Sequence, residues 1–204
     1  MCGRFYIDED TAAQIRSVVE ELDRKKIERM AFHGDVCPSN KAVLIYGSPD
    51  NQATPVLQSG LFQWGFMNKE NKMIINARAE TLQERPMFQK AIEHQRCVVP
   101  ATGFYEWEKN TREKYYFSNP EEKVIYLAGI YRFYEGEGHF VILTKPADDV
   151  MEPVHDRMPV IFTQNTWRKW IVAPKKEATE MIFGNKTSLT KQKEGSQFEQ
   201  MKIF

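Results

Sequence analysis

Cysteine is scarce in this chain. Its 204 residues hold three, Cys2, Cys37 and Cys97, with no CxxC pair and no Cys/His spacing of the zinc-binding kind, so neither a metal site nor another cofactor is expected. The odd count, together with an N-terminus that lacks a basic region followed by an apolar run, argues against secretion and for a cytoplasmic protein. Long apolar runs are missing as well. No stretch approaches the roughly eighteen residues that a membrane span requires. Charge of one sign is not in excess: 28 Lys and Arg stand against 28 Asp and Glu. No global field therefore draws the chain to a polyanion, and any such site has to be a local patch. No internal repeat or low-complexity linker divides the sequence, which predicts one domain over residues 1–204, with a polar tail from about residue 185.

Aromatic residues are plentiful, at 12% of the chain, more than a minimal core needs. Many fall in short β-branched and aromatic runs punctuated by Gly, Pro, Asn and Asp, as in "DVCPSNKAVLIYGSPDNQATPVLQSGLFQWGFM", the pattern of antiparallel strands joined by hairpins. "MCGRFYI" reads as extended and "KMIINARAE" as a short strand running into a turn. "RCVVPATGFYEWEK" reads as a strand broken at Pro100 and Gly103, followed by a meander through "KYYFS", "KVIYLAGIYRFYE" and "GHFVILTKP". "ADDVMEPVHDRMPVIF" passes from a helical turn through a loop to a last strand. Helical spacing of Ile15, Val18, Val19 and Leu22 behind Asp8 and Asp10 predicts an amphipathic helix over 8–30. A second helix is expected at "RPMFQKAIEHQ", with Pro86 in its first turn, and two more at "NTWRKWIV" and "KKEATEMIF". The resulting class is α+β: antiparallel strands forming a curled or barrel-like core, flanked by several helices.

Four positions carry polar chemistry that the hydrophobic pattern does not ask for. Removal of the initiator methionine from "MCGRF" leaves Cys2 with an α-amine and a thiol two carbons apart, a 1,2-aminothiol. With the thiol at about pKa 8.5 and the amine at about 7.7 to 8.0, both are partly deprotonated at neutral pH; a merely tolerated small residue is the plainer alternative. Asn76, in "IINARAE", either forms a turn with neighbouring backbone or orients a substrate or the Cys2 amine. Glu106, in "GFYEW", shares a strand face with Phe104, while Tyr105 and Trp107 take the other. Burial among aromatics raises a carboxyl pKa and suits it to acid–base work, whereas an edge strand leaves it in solvent. His155, in "PVHDRMP", lies in a loop beside Asp156 and Arg157, and histidine alone titrates unperturbed near physiological pH; simple exposure is the alternative. His33, His94 and His139 sit in turn, helix-end and hairpin contexts. Cys37 and Cys97 fall inside apolar strand patterns, as inert core thiols.

Taken in order, "MCGRF", "NARAET", "RCVVPATGFYEW" and "ILTKPAD" leading to "VHDRMPVIF" resemble the SOS response-associated peptidases, the SRAP domain, from Cys2 to about Phe162. The resemblance implies covalent capture of abasic sites in single-stranded DNA, the amine and thiol of Cys2 closing a thiazolidine on the sugar aldehyde. It implies that Asn76 holds the sugar or the α-amine and that Glu106 and His155 shuttle protons. It further implies that Arg4 and Arg78 grip the flanking phosphates, with Arg85, Lys69 and Lys72 as weaker candidates, and that Thr144 lines the same pocket. Trp64 and Phe66 offer stacking surfaces or else belong to the core. Two departures stand out. Where many relatives have an aromatic-rich loop after "WG", this chain reads "WGFMNKENK", which leaves contact at the lesion to Phe66 and Met67. Asp35 stands where relatives often have Asn. The family name carries a rival expectation, a thiol peptidase acting on its own N-terminus through Cys2 with His155 as base; a plain single-strand-binding module with an incidental Cys2 is a third. No metal or membrane partner is implied, the DNA-bound form is nucleoid-associated, and an exposed N-terminal pocket favours a monomer.

Overall fold

The structure, a computed structural model, describes residues 2–22, 33–48 and 55–194. From the N-terminus, β1 (Arg4–Ile7) leads into helix α1 (Glu9–Leu22), followed by β2 (Gly34–Val36), β3 (Lys41–Gly47) and β4 (Leu57–Trp64). A small hairpin, β5 (Phe66–Met67) and β6 (Met73–Ile74), precedes β7 (Asn76–Arg78), a turn of 3-10 helix over Ala79–Thr81 and α2 (Pro86–His94). Then come β8 (Arg96–Ala101), β9 (Gly103–Trp107), β10 (Lys114–Ser118), β11 (Ile125–Tyr134) and β12 (Glu137–Pro146). The chain continues through β13 (Arg157–Pro159), β14 (Ile161–Phe162), α3 (Trp167–Val172), α4 (Lys175–Gly184) and β15 (Thr190–Lys193).

The expected α+β core is a closed barrel. β12 pairs with β4, β4 with β3, β3 with β8, β8 with β11, and β11 returns to β12, so five strands close a ring. Four of these pairings are antiparallel; β12 with β4 is parallel, so the barrel is mixed. Side chains alternate between its two faces. Tyr46, Phe62 and Tyr131 fill the interior with edge-on rings 4.9 to 5.5 Å apart, each burial worth about 1.5–3 kcal/mol. Gly138 faces Phe62 so closely that a Cβ there would lie 2.4 Å from the ring. Outward-facing Val98, Ala128, Ile130, Val141 and Leu143 pack instead beneath α2 and α3, with Phe88, Ile92, Trp167 and Trp170.

A second, five-stranded antiparallel sheet in the order β15-β10-β9-β1-β2 covers the barrel. Its inner side chains, Phe5, Ile7, Phe104 and Phe117, join the barrel interior in one core. α1 starts where Asp8 caps it: the carboxylate accepts the Thr11 N–H at 2.6 Å. Of the residues whose spacing predicts it, Ile15 and Val19 are buried and Val18 is half-buried, with Ala12 also buried; the part expected beyond residue 22 lies outside the described residues, as does the tail beyond 194. No helix among the described residues is long and apolar enough to cross a membrane.

Three local expectations are corrected. β8 runs unbroken through Pro100, which pairs opposite Tyr126. β3 accompanies β8 only at Cys97 and Val98, so the N–H that Pro100 lacks falls where β8 has a neighbour on one side only. Cys37 lies just beyond β2 in a turn, half-buried, its N–H donating to Asn40 Oδ1. Cys97, by contrast, is fully buried in β8. The polar tail is not all tail: β15 adds to the sheet edge beside β10.

A buried cation ties the outer helices to the barrel. Arg96, 4% exposed, donates to the Ile92 and Glu93 carbonyls ending α2 and to the Trp170, Ile171 and Ala173 carbonyls ending α3. These are the carbonyls a helix leaves unsatisfied, at the end where its dipole favours positive charge. Burial pulls the guanidinium down only to about 10, so it stays charged. Arg96→Met is expected to lower the unfolding free energy by about 3 kcal/mol in urea titration, since several buried carbonyls lose their donor at once.

Candidate functional site

The site begins with how the chain terminus is held. Phe5 packs against Trp64 at 5.3 Å between ring centroids. The Trp64 indole N–H donates to the Ile75 carbonyl at 2.9 Å, and the Ile142 N–H donates to the same oxygen at 3.1 Å. With Ile75 so fixed, Asn76 opens β7 in parallel register with β12, opposite Ile142. Its Nδ2 donates to the Cys2 carbonyl at 2.9 Å. A turn-forming role is thereby overturned, because the side chain bonds a residue 74 positions away. Its Oδ1 is buried with no hydrogen-bond partner among the described residues, an acceptor left open beside Cys2.

Glu106 lies on the inner face of β9 with Phe104, while Tyr105 and Trp107 take the outer face, the alternation read from the sequence. β9 runs between β1 and β10, so this is no edge position, and Glu106 is 5% exposed. Its charge reaches two neighbours, pushing the Cys2 thiol up and pulling His155 up. His155 is not simply exposed either: its side chain keeps 14% of its surface. Its Nδ1 accepts the Arg157 backbone N–H at 3.0 Å, which places the proton of the neutral ring on Nε2. Asp156 Oδ1 also lies 2.9 Å from Nδ1, a contact that needs a proton on Nδ1 and so competes with the Arg157 N–H. Burial is the larger influence on His155 and holds its pKa below the ordinary value, favouring the neutral ring and leaving Asp156 to Lys109, 3.0 Å away.

Cys2 itself departs from expectation. It is fully buried, not in an exposed pocket, and its thiol donates weakly to the Arg4 carbonyl at 3.9 Å. Burial first, and Glu106 second, push the thiol up to about 12 in the chain that carries Met1, where it is protonated at neutral pH; the partial ionisation read from the sequence belongs to a chain beginning at Cys2.

The remaining candidates separate. Arg78 on β7 and Arg85 before α2 are exposed, as are Lys69 and Lys72 on the small hairpin. Arg4 is half-buried beside the site, its Nη1 3.1 Å from Asp35 and its guanidinium 5.4 Å from the Trp107 ring centre. Trp64 and Phe66 are fully buried and present no face to a base, which corrects them as stacking surfaces; on this hairpin only Met67 and Met73 are exposed apolar side chains. Thr144 is fully buried too, its carbonyl and hydroxyl facing Arg157, so it supports the pocket wall and touches no incoming group. Among the described residues no group of His, Cys, Asp and Glu is placed to hold a metal.

Arg157 is the residue whose part went unread. Its guanidinium forks onto both oxygens of Glu80, with Nη2 2.8 Å from Oε2, and Nη2 also donates to the Thr144 carbonyl at 2.8 Å. It thus ties the strand following His155 to the turn following Asn76. The signal lay in the opposite charges of "NARAE" and "HDRMP", but nothing local says that these two segments meet across β12.

Two solved structures share this architecture. A protein from Bacteroides thetaiotaomicron matches with a TM-score of 0.77 at 23% identity, over 94% of this chain and 91% of that one. A phage-related protein from Bordetella bronchiseptica matches with a TM-score of 0.74 at 22% identity, over 94% and 93%. Fold and site together define a mixed-barrel α+β protein with a buried cysteine at position 2. The family described as SOS response associated peptidase (SRAP) matches residues 1–203, beyond the Phe162 limit of the visible motifs, and the chain belongs to that family. It is 32% identical over 187 residues to the abasic site processing protein YoqW of Bacillus subtilis, covering 84% of this chain and 80% of that one. It is 27% identical to the abasic site processing protein YedK of Escherichia coli, covering 84% and 79%.

The clamp has a pH signature. The hydrogen bond from Arg157 holds Glu80 below its ordinary 4.5, so the pair's contribution is complete above that value and is lost as pH falls through the depressed one. Glu80 is 38% exposed, which limits the effect to under about 1 kcal/mol. Between about pH 5 and pH 3, the melting temperature of the wild type is expected to fall more steeply than that of Glu80→Gln.

Proposed function

We propose that the protein captures abasic sites in single-stranded DNA, with Cys2 at the mature N-terminus after loss of Met1, and closes a thiazolidine on the opened sugar. The observation that carries the reading is the Asn76 bond to the Cys2 carbonyl, which holds the reacting residue beside a buried carboxylate and a neutral histidine. The names of the relatives support the substrate class.

The chemistry orders itself around the protonated thiol. The free α-amine adds first to the aldehyde, and loss of one water gives the imine. The S–H then adds across C=N: a C–S bond forms, and the thiol proton ends on nitrogen. Burial and the Glu106 charge disfavour the thiolate, so the thiol is a poor nucleophile until a base takes its proton, and Glu106, whose field reaches the thiol, is that base. His155 takes up a proton from solvent and, as imidazolium, donates it from Nε2 to the ring oxygen as the sugar hemiacetal opens, while the anomeric hydroxyl releases its proton to solvent. The open Oδ1 of Asn76 accepts from the α-amine or a sugar hydroxyl. Arg4, Arg78 and Arg85 take the phosphates beside the lesion, a local patch on a chain without net charge.

Mixed with single-stranded DNA containing one abasic site, the purified protein is expected to give a species that survives denaturing electrophoresis, and none with intact DNA. Cys2→Ala or a chain retaining Met1 should abolish it; a species persisting in both would sink the reading. Glu106→Gln and His155→Gln should each slow its formation about 100-fold. Acylation of the α-amine separates the rivals, because it ends thiazolidine formation and leaves a thiol peptidase active.

A further inference from the structure

One carboxylate oxygen beside His155 serves two partners. Asp156 Oδ1 lies 3.0 Å from Lys109 Nζ and 2.9 Å from His155 Nδ1. The imidazole nitrogen has two partners as well. It can accept the Arg157 N–H, 3.0 Å away, only when it carries no proton, and it can donate to Asp156 only when it does. The proton on Nδ1 therefore decides which pairs are made. With the ring neutral and its proton on Nε2, Nδ1 takes the Arg157 N–H and Asp156 pairs with Lys109. With the ring charged, Nδ1–H turns to Asp156, and Lys109 has to share that oxygen.

The backbone on both sides is fixed, so the exchange needs no movement of the chain. The Asp156 carbonyl accepts the Ala147 N–H at 3.0 Å, and the His155 N–H donates to the Met151 carbonyl at 3.0 Å. Met151 and Val154 anchor this loop in the core. Lys109 sits in the turn between β9 and β10, where the Glu108 carboxylate accepts the N–H groups of Asn110 and Thr111. β9 also carries Glu106, so one strand and its turn bring a carboxylate and an ammonium to bear on the same histidine. Lys109 and Asp156 are exposed, whereas the His155 side chain is mostly covered. An exposed ion pair by itself is worth little, but this one ends on a ring largely out of water, where charges act more strongly. Burial is the largest influence on His155 and opposes the imidazolium; the amino terminus and Lys109 oppose it as well, while Glu106 and Asp156 favour it. The Arg157 guanidinium is engaged by Glu80 and the Thr144 carbonyl. The bond from Lys109 holds the Asp156 carboxyl below the ordinary carboxylate range, so the anion is present wherever the ring titrates.

We propose that Asp156 is a positioning residue that makes His155 an acid: it exchanges Lys109 for Nδ1–H as the ring takes up a proton, and so holds the imidazolium that opens the sugar. Asp156 stays ionised throughout and transfers no proton, the part a carboxylate plays behind a catalytic imidazole. The ring gains one proton at Nδ1 from solvent and gives one from Nε2 to the sugar ring oxygen as the hemiacetal C–O bond breaks. The anomeric hydroxyl returns one to solvent, and exchange with solvent restores the starting tautomer. Lys109 works in the opposite sense, drawing on the same oxygen and keeping the resting ring neutral. The proposal rests on the abasic-capture reading for the step that is served, and not for the exchange itself.

A titration of His155 in the purified protein tests the exchange without DNA. Its C2–H proton resonance is assigned by its absence from His155→Gln. Relative to wild type, the midpoint is expected to fall by about half a pH unit in Asp156→Asn and to rise by a similar amount in Lys109→Met. Most of that rise should vanish when Lys109→Met is made in the Asp156→Asn chain, because the ammonium acts through the carboxylate. Unchanged titrations of His33, His94 and His139 show that each variant folds. The second readout is the rate of crosslinking to single-stranded DNA with one abasic site between about pH 5 and pH 8. The ratio of the Asp156→Asn rate to the wild-type rate should fall about threefold across that range, since the variant is short of imidazolium only above its midpoint. A merely structural loss gives the same ratio at every pH. Asp156→Glu, which keeps the charge, should restore most of both shifts. A midpoint unmoved in either single variant, or a rate ratio that stays flat with pH, overturns the proposal. Failure of the wild type to crosslink, with the midpoints moving as expected, removes the capture reading and leaves the exchange standing.

Discussion

Everything in this molecule is hung on β12. It closes the barrel by bonding β11 on one side and β4 on the other, and past that closure its far end bonds β7 and β13. β7 brings Asn76; β13 follows directly on His155. One ten-residue strand therefore sets the distance between an amide and an imidazole that are far apart in sequence. Because the strand is pleated and its inner residues Phe140 and Ile142 are locked in the core, a slip of one residue would turn every site neighbour to the wrong face.

The second sheet supplies the other half of the site by a different device. β1 is a central strand, flanked by β2 and β9, so the N-terminal segment, ordinarily a frayed end, is held by pairing on both sides and by Phe5 against Trp64. Glu106 arrives on the neighbouring strand. The result is a buried thiol that its surroundings keep protonated, within reach of the Glu106 charge. A thiol in this state resists adventitious oxidation, because thiolate character and exposure govern that reactivity.

The order of strands and helices was legible because each element carries its own period and punctuation: Asp8 as a cap, Pro86 opening a helix, the alternation through "GFYEW". Cys2, Asn76, Glu106 and His155 stood out because a polar group in an apolar or loop pattern asks for a reason. What stayed hidden depends on partners remote in sequence. Periodicity assigns Trp64 a face but does not say whether water or β1 lies beyond it. Pro100 reads as a break until β3 is seen to leave β8 early. Arg157 looks like one more surface charge until β12 sets it against Glu80, and the thiol of Cys2 looks ordinary until a sheet is folded over it.

The C-terminal edge strand has a consequence for how the molecule behaves among its own copies. β10 would otherwise present an unpaired ladder of amides and carbonyls to solvent, beside rings that are only half covered. β15 occupies that ladder and turns outward a short strand bearing Lys191 and Lys193, the charge that discourages a further strand from adding. A chain ending before Thr190 would keep its barrel but carry an adhesive margin, and its failure would be seen as self-association and not as unfolding.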